Sequence, residues 1–312
     1  MTPKSERNRI FKQFNRYKFI YTSPEMLQNR QVIEHLKQIE ISLFVVDEAH
    51  CISHWGTDFR PDYLALKRIK SVLNSPTTMA LTATATKRVR EEIIQFLGLD
   101  LHSTNQIVQS VDREEIKYVV EICDGDKDQK LVEYIKQLKG SGIIYFTSKK
   151  LSDIWSTKLR NELGIRVSSY HADLDSDDRM KIQQQFLNND LQIICATSAF
   201  GMGFDKKDIR FVIHYHLPGS LEMYLQEVGR ASRDGVTGVA ILFYQPGDEQ
   251  TQRYFIESSL PSDSILKNIY QSTQNKLVLD DPLTKISLYF KESTKNIDEA
   301  LDHIENRREI KK

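Results

Sequence analysis

The sequence predicts an α/β fold with two parallel-sheet lobes in tandem, the first of them incomplete, followed by a short helical tail. Short apolar runs typical of buried parallel strands recur along the chain, and each is followed by a helical pattern. Polar side chains directly follow several of these runs, where α/β proteins bind their ligands. A weakly periodic break at residues 105–128 separates three runs from about five later ones.

The strand candidates define the predicted lobes. We expect the first lobe at residues 1–106, the second at 107–247 and a tail of polar helices at 248–312. The tail includes SILKNIYQSTQ and NIDEALDHIENRREIKK and carries no chemical motif. The strand candidates, in chain order, are KFIYTS, SLFVVDEAH, TTMALTATAT, SGIIYFTS, RVSSYHA, LQIICATS, IRFVIHYHL and GVAILFY.

The charge balance excludes a strong overall electrostatic field. The 312 residues contain 43 Lys plus Arg and 43 Asp plus Glu, so the formal net charge is zero. Nucleic-acid binding would therefore depend on local patches. The basic stretch Lys4–Lys18 is one candidate, although a solvated helix face explains it at least as well.

Cysteine usage and hydropathy restrict the class of protein further. Three cysteines without a CxxC pair argue against a disulfide framework and a zinc ribbon. His50, Cys51 and His54 are close in sequence, but a zinc site would need a second ligand pair. There is no apolar run approaching ~20 residues and no signal-peptide pattern. The sequence predicts a cytoplasmic monomer without zinc and without a membrane partner.

The apolar run LFVV ends in Asp47 and Glu48. One carboxylate at a strand end can hold a hydrated Mg²⁺ ion, which takes few protein ligands, and its neighbour can orient or deprotonate a water molecule. The plainer alternative is a strand that ends in a polar, helix-capping turn. Asp-Glu pairs are common, so the pair alone does not decide between the two.

The surrounding sequence carries a resemblance. VVDEAH resembles the Walker B box of superfamily 2 helicases, and the following CISHWGTDFRPDY resembles the aromatic-rich loop of RecQ-family DNA helicases. In that family the loop senses single-stranded DNA, which assigns this role to Trp55, Phe59 and Arg60. Aromatic rings stack on bases and arginine contacts phosphate, which suits the assignment. His54 and Thr57 stand where the family more often has Gln and His.

Further segments resemble the family's other boxes in the expected order: IYTSPEML, ALTATAT, IIYFTSKK, YHADLDSDDR, IICATSAFGMGFD and YLQEVGRASRDG. Taken alone, a threonine-rich strand end is usually only β-propensity and turn chemistry, and a histidine there is often satisfied locally. The resemblance implies two RecA-like lobes with DNA contacts at the strand ends. These contacts are Thr22, Ser23, Thr82, Thr84, Thr147, Ser148, His171, Thr197 and Ser198.

The segment GRASR carries two arginines, Arg230 and Arg233, spaced so that both lie on one face of a helical turn. A planar guanidinium suits the γ-phosphoryl oxygens as negative charge develops on them. By resemblance Arg233 is the arginine finger, with Arg230 in support and Gln226 nearby. Without the surrounding boxes, two arginines on a surface helix would be the simpler interpretation. Ser232 replaces a glycine that is usual in the family.

The resemblance also implies the ligands and the activity. ATP and Mg²⁺ are the expected cofactors, with Asp47 holding the metal through water and Glu48 activating the attacking water. His50, Gly203 and Asp205 join Asp47 and the two arginines of GRASR on the nucleotide-binding side. The expected partners are single-stranded and forked DNA. The expected activity is ATP-dependent 3′ to 5′ unwinding in DNA repair and recombination.

One expected element is absent from the sequence. There is no G-x-x-x-x-G-K-[ST], the loop whose amides and lysine cradle phosphates, and none of the 13 glycines precedes a lysine. In the family this loop lies upstream of the matched region. We therefore expect exposed apolar sheet edges in the first lobe and a missing N-terminal segment as a partner. The alternative function is a non-catalytic DNA-binding remnant, and the tryptophan loop disfavours an RNA helicase.

Overall fold

The computed structural model describes residues 10–11, 13–53, 60–83, 85–110, 112–201 and 204–259, the last four of these through their backbone only. These residues form a mixed α/β structure with a two-stranded and a six-stranded sheet. The chain divides into two compact units. The first comprises residues 1–121 and 128–243 and holds almost all of both sheets, and the second comprises residues 122–127 and 244–312.

The first sheet is small and parallel. Its strands are joined in register from Leu43 opposite Thr77 to Val46 opposite Ala80. Helices on this part of the chain supply most of the buried side chains around it. The elements are β1 (Leu43–Val46), β2 (Thr77–Ala80), α1 (Arg30–Leu36), α2 (Leu66–Val72) and α3 (Lys87–Phe96).

Apolar side chains of the first sheet are half exposed. Leu43 and Val45 each retain 49% of their accessible surface, and Met79 retains 46%. Parallel sheets are normally covered on both faces, so these side chains lack the cover that such strands usually have. The sequence predicts exposed apolar sheet edges for the first lobe, and the structure shows half-exposed apolar side chains on both of its strands.

The second sheet contains six strands. These are β3 (Ile116–Ile122), β4 (Ser141–Tyr145), β5 (Val167–Tyr170), β6 (Ile193–Ala196), β7 (Ile209–His214) and β8 (Gly238–Tyr244). Their order in the sheet is β3-β8-β7-β4-β6-β5, so the chain crosses over repeatedly, as in other α/β folds. The helices are α4 (Lys127–Gln137), α5 (Lys149–Leu163), α6 (Ser176–Leu187), α7 (Leu221–Val228) and α8 (Asp248–Ser259).

The central strands of the second sheet are continuous apolar runs because both of their faces are buried. Every residue of β4 and β6 is buried, because helices cover both faces of a parallel sheet. Helix α5 begins where the Ser148 hydroxyl accepts a hydrogen bond from the Leu151 amide, at 3.4 Å. It ends at Gly164, whose φ of 63° a glycine adopts at little cost.

The structure confirms seven of the strand candidates and corrects the account in two places. The prediction of a strand at KFIYTS is wrong: among the described residues this segment belongs to no sheet, and Tyr21 is 93% exposed. Strand β3 was missed, since its IKYVVEI sequence lies in the presumed break and only Ile116 in it is buried. Of the predicted helical tail, α8 is described, and residues 260–312 lie outside the described part.

Within the described ranges, none of the helices combines the length and apolar character needed to cross a bilayer.

Ser232 adopts a left-handed conformation, with φ of 58°, and its buried hydroxyl has no hydrogen-bond partner among the described residues. Glycine adopts this φ without strain and has no hydroxyl to bury, although it also makes the unfolded chain more flexible. The net effect of Ser232→Gly should be a rise of about 1 kcal/mol in the free energy of unfolding. Thermal unfolding measures this. Ser75→Gly is the matched control, because Ser75 has φ of 49° and is exposed. A Ser232→Gly protein that melts below the parent would contradict the interpretation.

Candidate active site

Polar residues follow the strands at the carboxyl edge of each sheet. Asp47 and Glu48 come directly after β1, and Thr82 comes two residues after β2. In the second sheet the corresponding residues follow β4, β5 and β6, and they are Thr147, Ser148, His171, Thr197 and Ser198. Because paired parallel strands end at the same edge, each sheet gathers its polar strand ends together.

The backbone turns sharply after β1. Glu48 has φ of 48°, a left-handed conformation that costs a non-glycine residue energy and that is common at functional sites. A short 3-10 turn follows at Ala49–Ile52, and the Ala49 amide donates to the Leu81 carbonyl at 2.8 Å. Asp47 is exposed, and its Oδ1 accepts from the Glu48 amide at 2.9 Å. The turn therefore fixes the directions of both carboxylates.

His50 connects the two strand ends of the first sheet. Its Nδ1 lies 3.0 Å from Thr82 Oγ1 and 3.4 Å from Glu48 Oε2. The ring is buried, so these contacts are shielded from water. One imidazole nitrogen therefore contacts polar groups at both strand ends.

A cavity of about 1090 Å³ brings many of the predicted residues together. Glu48 and Thr82 line it from the first sheet. Asp205, Gln226 and the two arginines of GRASR, Arg230 and Arg233, line it from the second. An acidic strand end and an arginine-bearing turn thus lie on the wall of one cavity.

Arg230 is held tightly at this wall. It is only 7% exposed, and its Nη1 donates to the Gly201 carbonyl at 2.6 Å. Its Nε has no hydrogen-bond partner among the described residues, which leaves a buried charged donor available to an anion. Gly201 has φ of 152°, and a Cβ there would lie 2.1 Å from Arg230 Nη2. Only glycine therefore permits this approach of the guanidinium.

Arg233 is more exposed and is oriented by an ion pair. Its Nη1 donates to Asp205 Oδ1 at 2.7 Å and to the Phe204 carbonyl at 3.3 Å. Both partners follow β6 in sequence and also line the cavity. Asp205 is thus placed to orient the arginine.

A buried polar group supports the arginine-bearing turn from beneath. His214 Nε2 and Glu227 Oε2 lie 2.7 Å apart, and both residues are almost fully buried. The Tyr145 ring stacks on His214 with centroids 5.2 Å apart, and its hydroxyl donates to the Phe200 carbonyl at 3.2 Å. Burial raises the pKa of Tyr145, and the nearby Arg230 partly opposes this shift. The phenol therefore stays neutral beside the arginine.

Two cavity-lining arginines were missed by the sequence analysis. Arg90 lies on α3, and its Nε is buried without a hydrogen-bond partner among the described residues. Arg113 lies shortly before β3, and residues 104–110 between the two sheets also line the cavity. Neither arginine follows an apolar run or lies in a segment that resembles a helicase motif, so nothing in the sequence marks it as a site residue.

Other predicted residues lie away from this cavity. Thr22 and Ser23 are exposed, and the Ser23 hydroxyl, by hydrogen bonding, lowers the pKa of Glu25. The Arg60 amide donates to the Cys51 carbonyl at 2.9 Å. In the second sheet, His171 Nε2 lies 3.1 Å from Asp153 Oδ1. Trp55, Phe59, Thr84 and Gly203 lie outside the described residues.

Among the described residues, no three His, Cys, Asp or Glu side chains lie close enough together to hold a metal ion. Mg²⁺ bound mainly through water needs only one carboxylate, and Asp47 offers an exposed one at a strand end. Tyr63 lies behind it, where its hydroxyl donates to the Asp47 carbonyl at 3.3 Å, and burial raises the pKa of Tyr63 to about 12.

Two protein-family models match this chain. Residues 1–93 match the DEAD/DEAH box helicase family, and residues 126–235 match the helicase conserved C-terminal domain. Among solved structures, Mycobacterium smegmatis helicase Lhr bound to ssDNA and AMP-PNP matches 78% of this chain and 33% of its own, with TM-score 0.61 and 22% identity. Mss116p bound to ssRNA and AMP-PNP matches 85% and 57%, with TM-score 0.63 and 19% identity. The fold is that of the RecA-like helicases.

Curated relatives narrow the class further. The probable ATP-dependent DNA helicase RecS of Bacillus subtilis is 44% identical over 82% of this chain and 52% of its own length. The ATP-dependent DNA helicase RecQ of the same organism is 40% identical over 78% of this chain and 41% of its own. The chain therefore belongs to the RecQ family of superfamily 2 helicases. It spans about half or less of the length of these relatives.

Gly201→Ala tests whether the glycine seats Arg230. The added methyl would displace the guanidinium, so we expect the affinity of the cavity for inorganic tripolyphosphate, measured by calorimetric titration, to fall by about tenfold or more. Gly164→Ala is the matched control, because Gly164 also has positive φ but a Cβ added there would meet no atom within 4 Å. Equal affinities for Gly201→Ala and the parent would show that the close approach has no bearing on anion binding.

Proposed function

We propose that this chain is the motor portion of a RecQ-type ATP-dependent DNA helicase. It couples ATP hydrolysis to 3′ to 5′ movement along single-stranded DNA and to duplex unwinding, in DNA repair and recombination, as a cytoplasmic monomer. One observation carries the proposal: Glu48 and the arginines Arg230 and Arg233, contributed by different sheets, line the same cavity. Relatives named as ATP-dependent DNA helicases support it.

Size and charge suit a nucleoside triphosphate as the substrate. The cavity of about 1090 Å³ is as large as the sites that enclose small ligands, roughly 300–1,000 Å³. Four arginines line it against two carboxylates, those of Glu48 and Asp205. The buried Nε atoms of Arg90 and Arg230 are donors without a partner among the described residues, and phosphate oxygens would satisfy them.

The proposed mechanism assigns a task to each side chain. Bound MgATP supplies the γ-phosphoryl group and a metal that neutralises part of its charge. Asp47 would hold the hydrated metal through its exposed carboxylate. Glu48 accepts the proton of the attacking water on its own carboxylate, and His50 keeps that carboxylate oriented. Arg233 and Arg230 donate to the γ-phosphoryl oxygens as their negative charge grows.

DNA is proposed to contact the strand ends of both sheets and the segment at Thr22 and Ser23, which precedes the first sheet. Thr22, Ser23 and Ser198 are exposed, and hydroxyls of this kind commonly hydrogen-bond to phosphate. Ser148 lies at the start of α5, where helix amides favour an anion. Trp55 and Phe59 are proposed to stack on bases, as the family resemblance implies. His50 and Thr82 then give a physical route from the DNA side of the first sheet to Glu48.

The absent phosphate loop favours a second candidate. The chain has no G-x-x-x-x-G-K-[ST], and arginine side chains do not replace a cradle of backbone amides. A chain that binds DNA without turning over ATP would therefore be a non-catalytic remnant. A segment carrying the loop, supplied in trans, is the partner that the first proposal requires if the chain alone proves inactive.

Glu48→Gln separates the two candidates. If Glu48 is the base, the variant should lose DNA-stimulated phosphate release by about 10²- to 10⁴-fold while keeping its affinity for MgATP, because the amide cannot take up the proton. Glu91→Gln, an exposed acid on α3, is the control. Parallel assays with single-stranded DNA and RNA of the same sequence test the nucleic-acid preference.

The contrary results are equally definite. A parent chain that binds DNA and releases no phosphate, with or without a supplied phosphate-loop segment, would establish the remnant. Hydrolysis that survives in Glu48→Gln would remove Glu48 from the mechanism. Greater stimulation by RNA than by DNA would contradict the RecQ-type substrate.

A further inference from the structure

Arg113 makes an unusual set of contacts at the cavity. Its Nη1 donates to the Gly229 carbonyl at 3.3 Å, and its Nη2 donates to the carbonyls of Ala231 and Ser232 at 3.4 and 3.3 Å. Its Nε donates to Glu115 Oε1 at 2.5 Å. One guanidinium thus contacts three of the four peptide carbonyls between residues 229 and 232 and is itself fixed by a carboxylate.

The turn that Arg113 holds is the one that carries the cavity arginines. Helix α7 ends at Val228, and Arg230 and Arg233 follow within five residues. From this turn Arg230 reaches the Gly201 carbonyl and Arg233 reaches Asp205. The position of both guanidinium groups therefore depends on the backbone that Arg113 contacts.

Arginine chemistry suits this task. A guanidinium presents five N–H donors in one plane, so it can bond a carboxylate on one edge and carbonyls on another. Carbonyls just beyond a helix carry partial negative charge, which favours a cation there. A lysine ammonium is a single point charge and cannot span three carbonyls and Glu115 together.

Anchoring of β3 to its sheet is the simpler explanation, but the contacts do not favour it. The junction with β8 is made by backbone, with the Gly238 amide donating to the Glu115 carbonyl at 3.0 Å. That bond does not involve the Arg113 side chain. The side chain points instead to the arginine-bearing turn, and Arg113 lines the cavity together with residues 104–110 that join the two sheets.

We propose that Arg113 is a positioning residue that ties the segment joining the two sheets to the turn bearing Arg230 and Arg233. Displacement of the joining segment is then transmitted to the turn, and the two guanidinium groups enter or leave their places at the cavity with it. The effect on hydrolysis rests on the proposed ATPase function. The effect on the turn itself does not.

Hydrogen exchange followed by mass spectrometry tests the effect on the turn in the chain without nucleotide. In Arg113→Gln, amides of residues 221–235 should exchange on the order of tenfold faster, while those of β5 and β6 keep the parental rates. Arg113→Lys should resemble Arg113→Gln. Arg166→Gln is the matched control, because Arg166 is exposed and donates to the Asn189 carbonyl at 2.9 Å, outside the turn.

Three exchange results would overturn the proposal: unchanged exchange of residues 221–235 in Arg113→Gln, equal acceleration in β5 and β6, or full parental protection in Arg113→Lys. Where the parent hydrolyses ATP, kcat should fall about tenfold or more in Arg113→Gln, since the turn serves the transition state, and the affinity for tripolyphosphate should fall with it, as in Gly201→Ala. A rise in KM for ATP without a fall in kcat would also reject the role. If the parent does not hydrolyse ATP, the exchange comparison still decides the inference.

Discussion

The structure depends on an acidic strand end and a pair of arginines sharing one cavity while belonging to different sheets. Glu48 reaches the cavity because β1 ends in a left-handed turn, and Arg230 and Arg233 reach it from the turn after α7. Opposite charges placed on two different sheets can be bridged by one ligand, and a ligand that bridges them favours the arrangement in which both sheets contact it. Under the proposed function, a triphosphate bound in this cavity would couple its hydrolysis to a change in the contacts with DNA.

Buried polar contacts orient the acidic strand end and the arginine-bearing turn. His50 Nδ1 contacts both Glu48 and Thr82, so one buried ring links the two strand ends of the first sheet. Beneath the arginines, His214 and Glu227 form a close buried pair that holds α7 to β7. Groups of this kind cost energy to bury and are well placed only when all of their partners are present. Together with the glycine that admits Arg230, they restrict the site to a narrow set of geometries.

The sequence predicted much of this arrangement because the relevant patterns are local. Apolar runs followed by polar residues identify strand ends, and parallel pairing then gathers Glu48 and Thr82 without further information. The missed strand β3 has exposed residues at most positions, so no buried run marks it. KFIYTS has the composition of a strand, but strand formation needs a neighbour, and none of the described strands pairs with it. Arg113 could not be found, because its importance comes from carbonyls more than 100 residues away.

Paramagnetic broadening by Mn²⁺·ATP in nuclear magnetic resonance spectra tests most directly whether one nucleotide is bound by both sheets, and it needs no turnover. Mn²⁺ replaces Mg²⁺ beside the phosphates and broadens nearby amide signals. The account predicts that the amides of Glu48 and Arg233 broaden together at the same nucleotide concentration, while that of Asn189, before β6, stays sharp. Broadening at only one of the two, or equal broadening at Asn189, would contradict a shared triphosphate site.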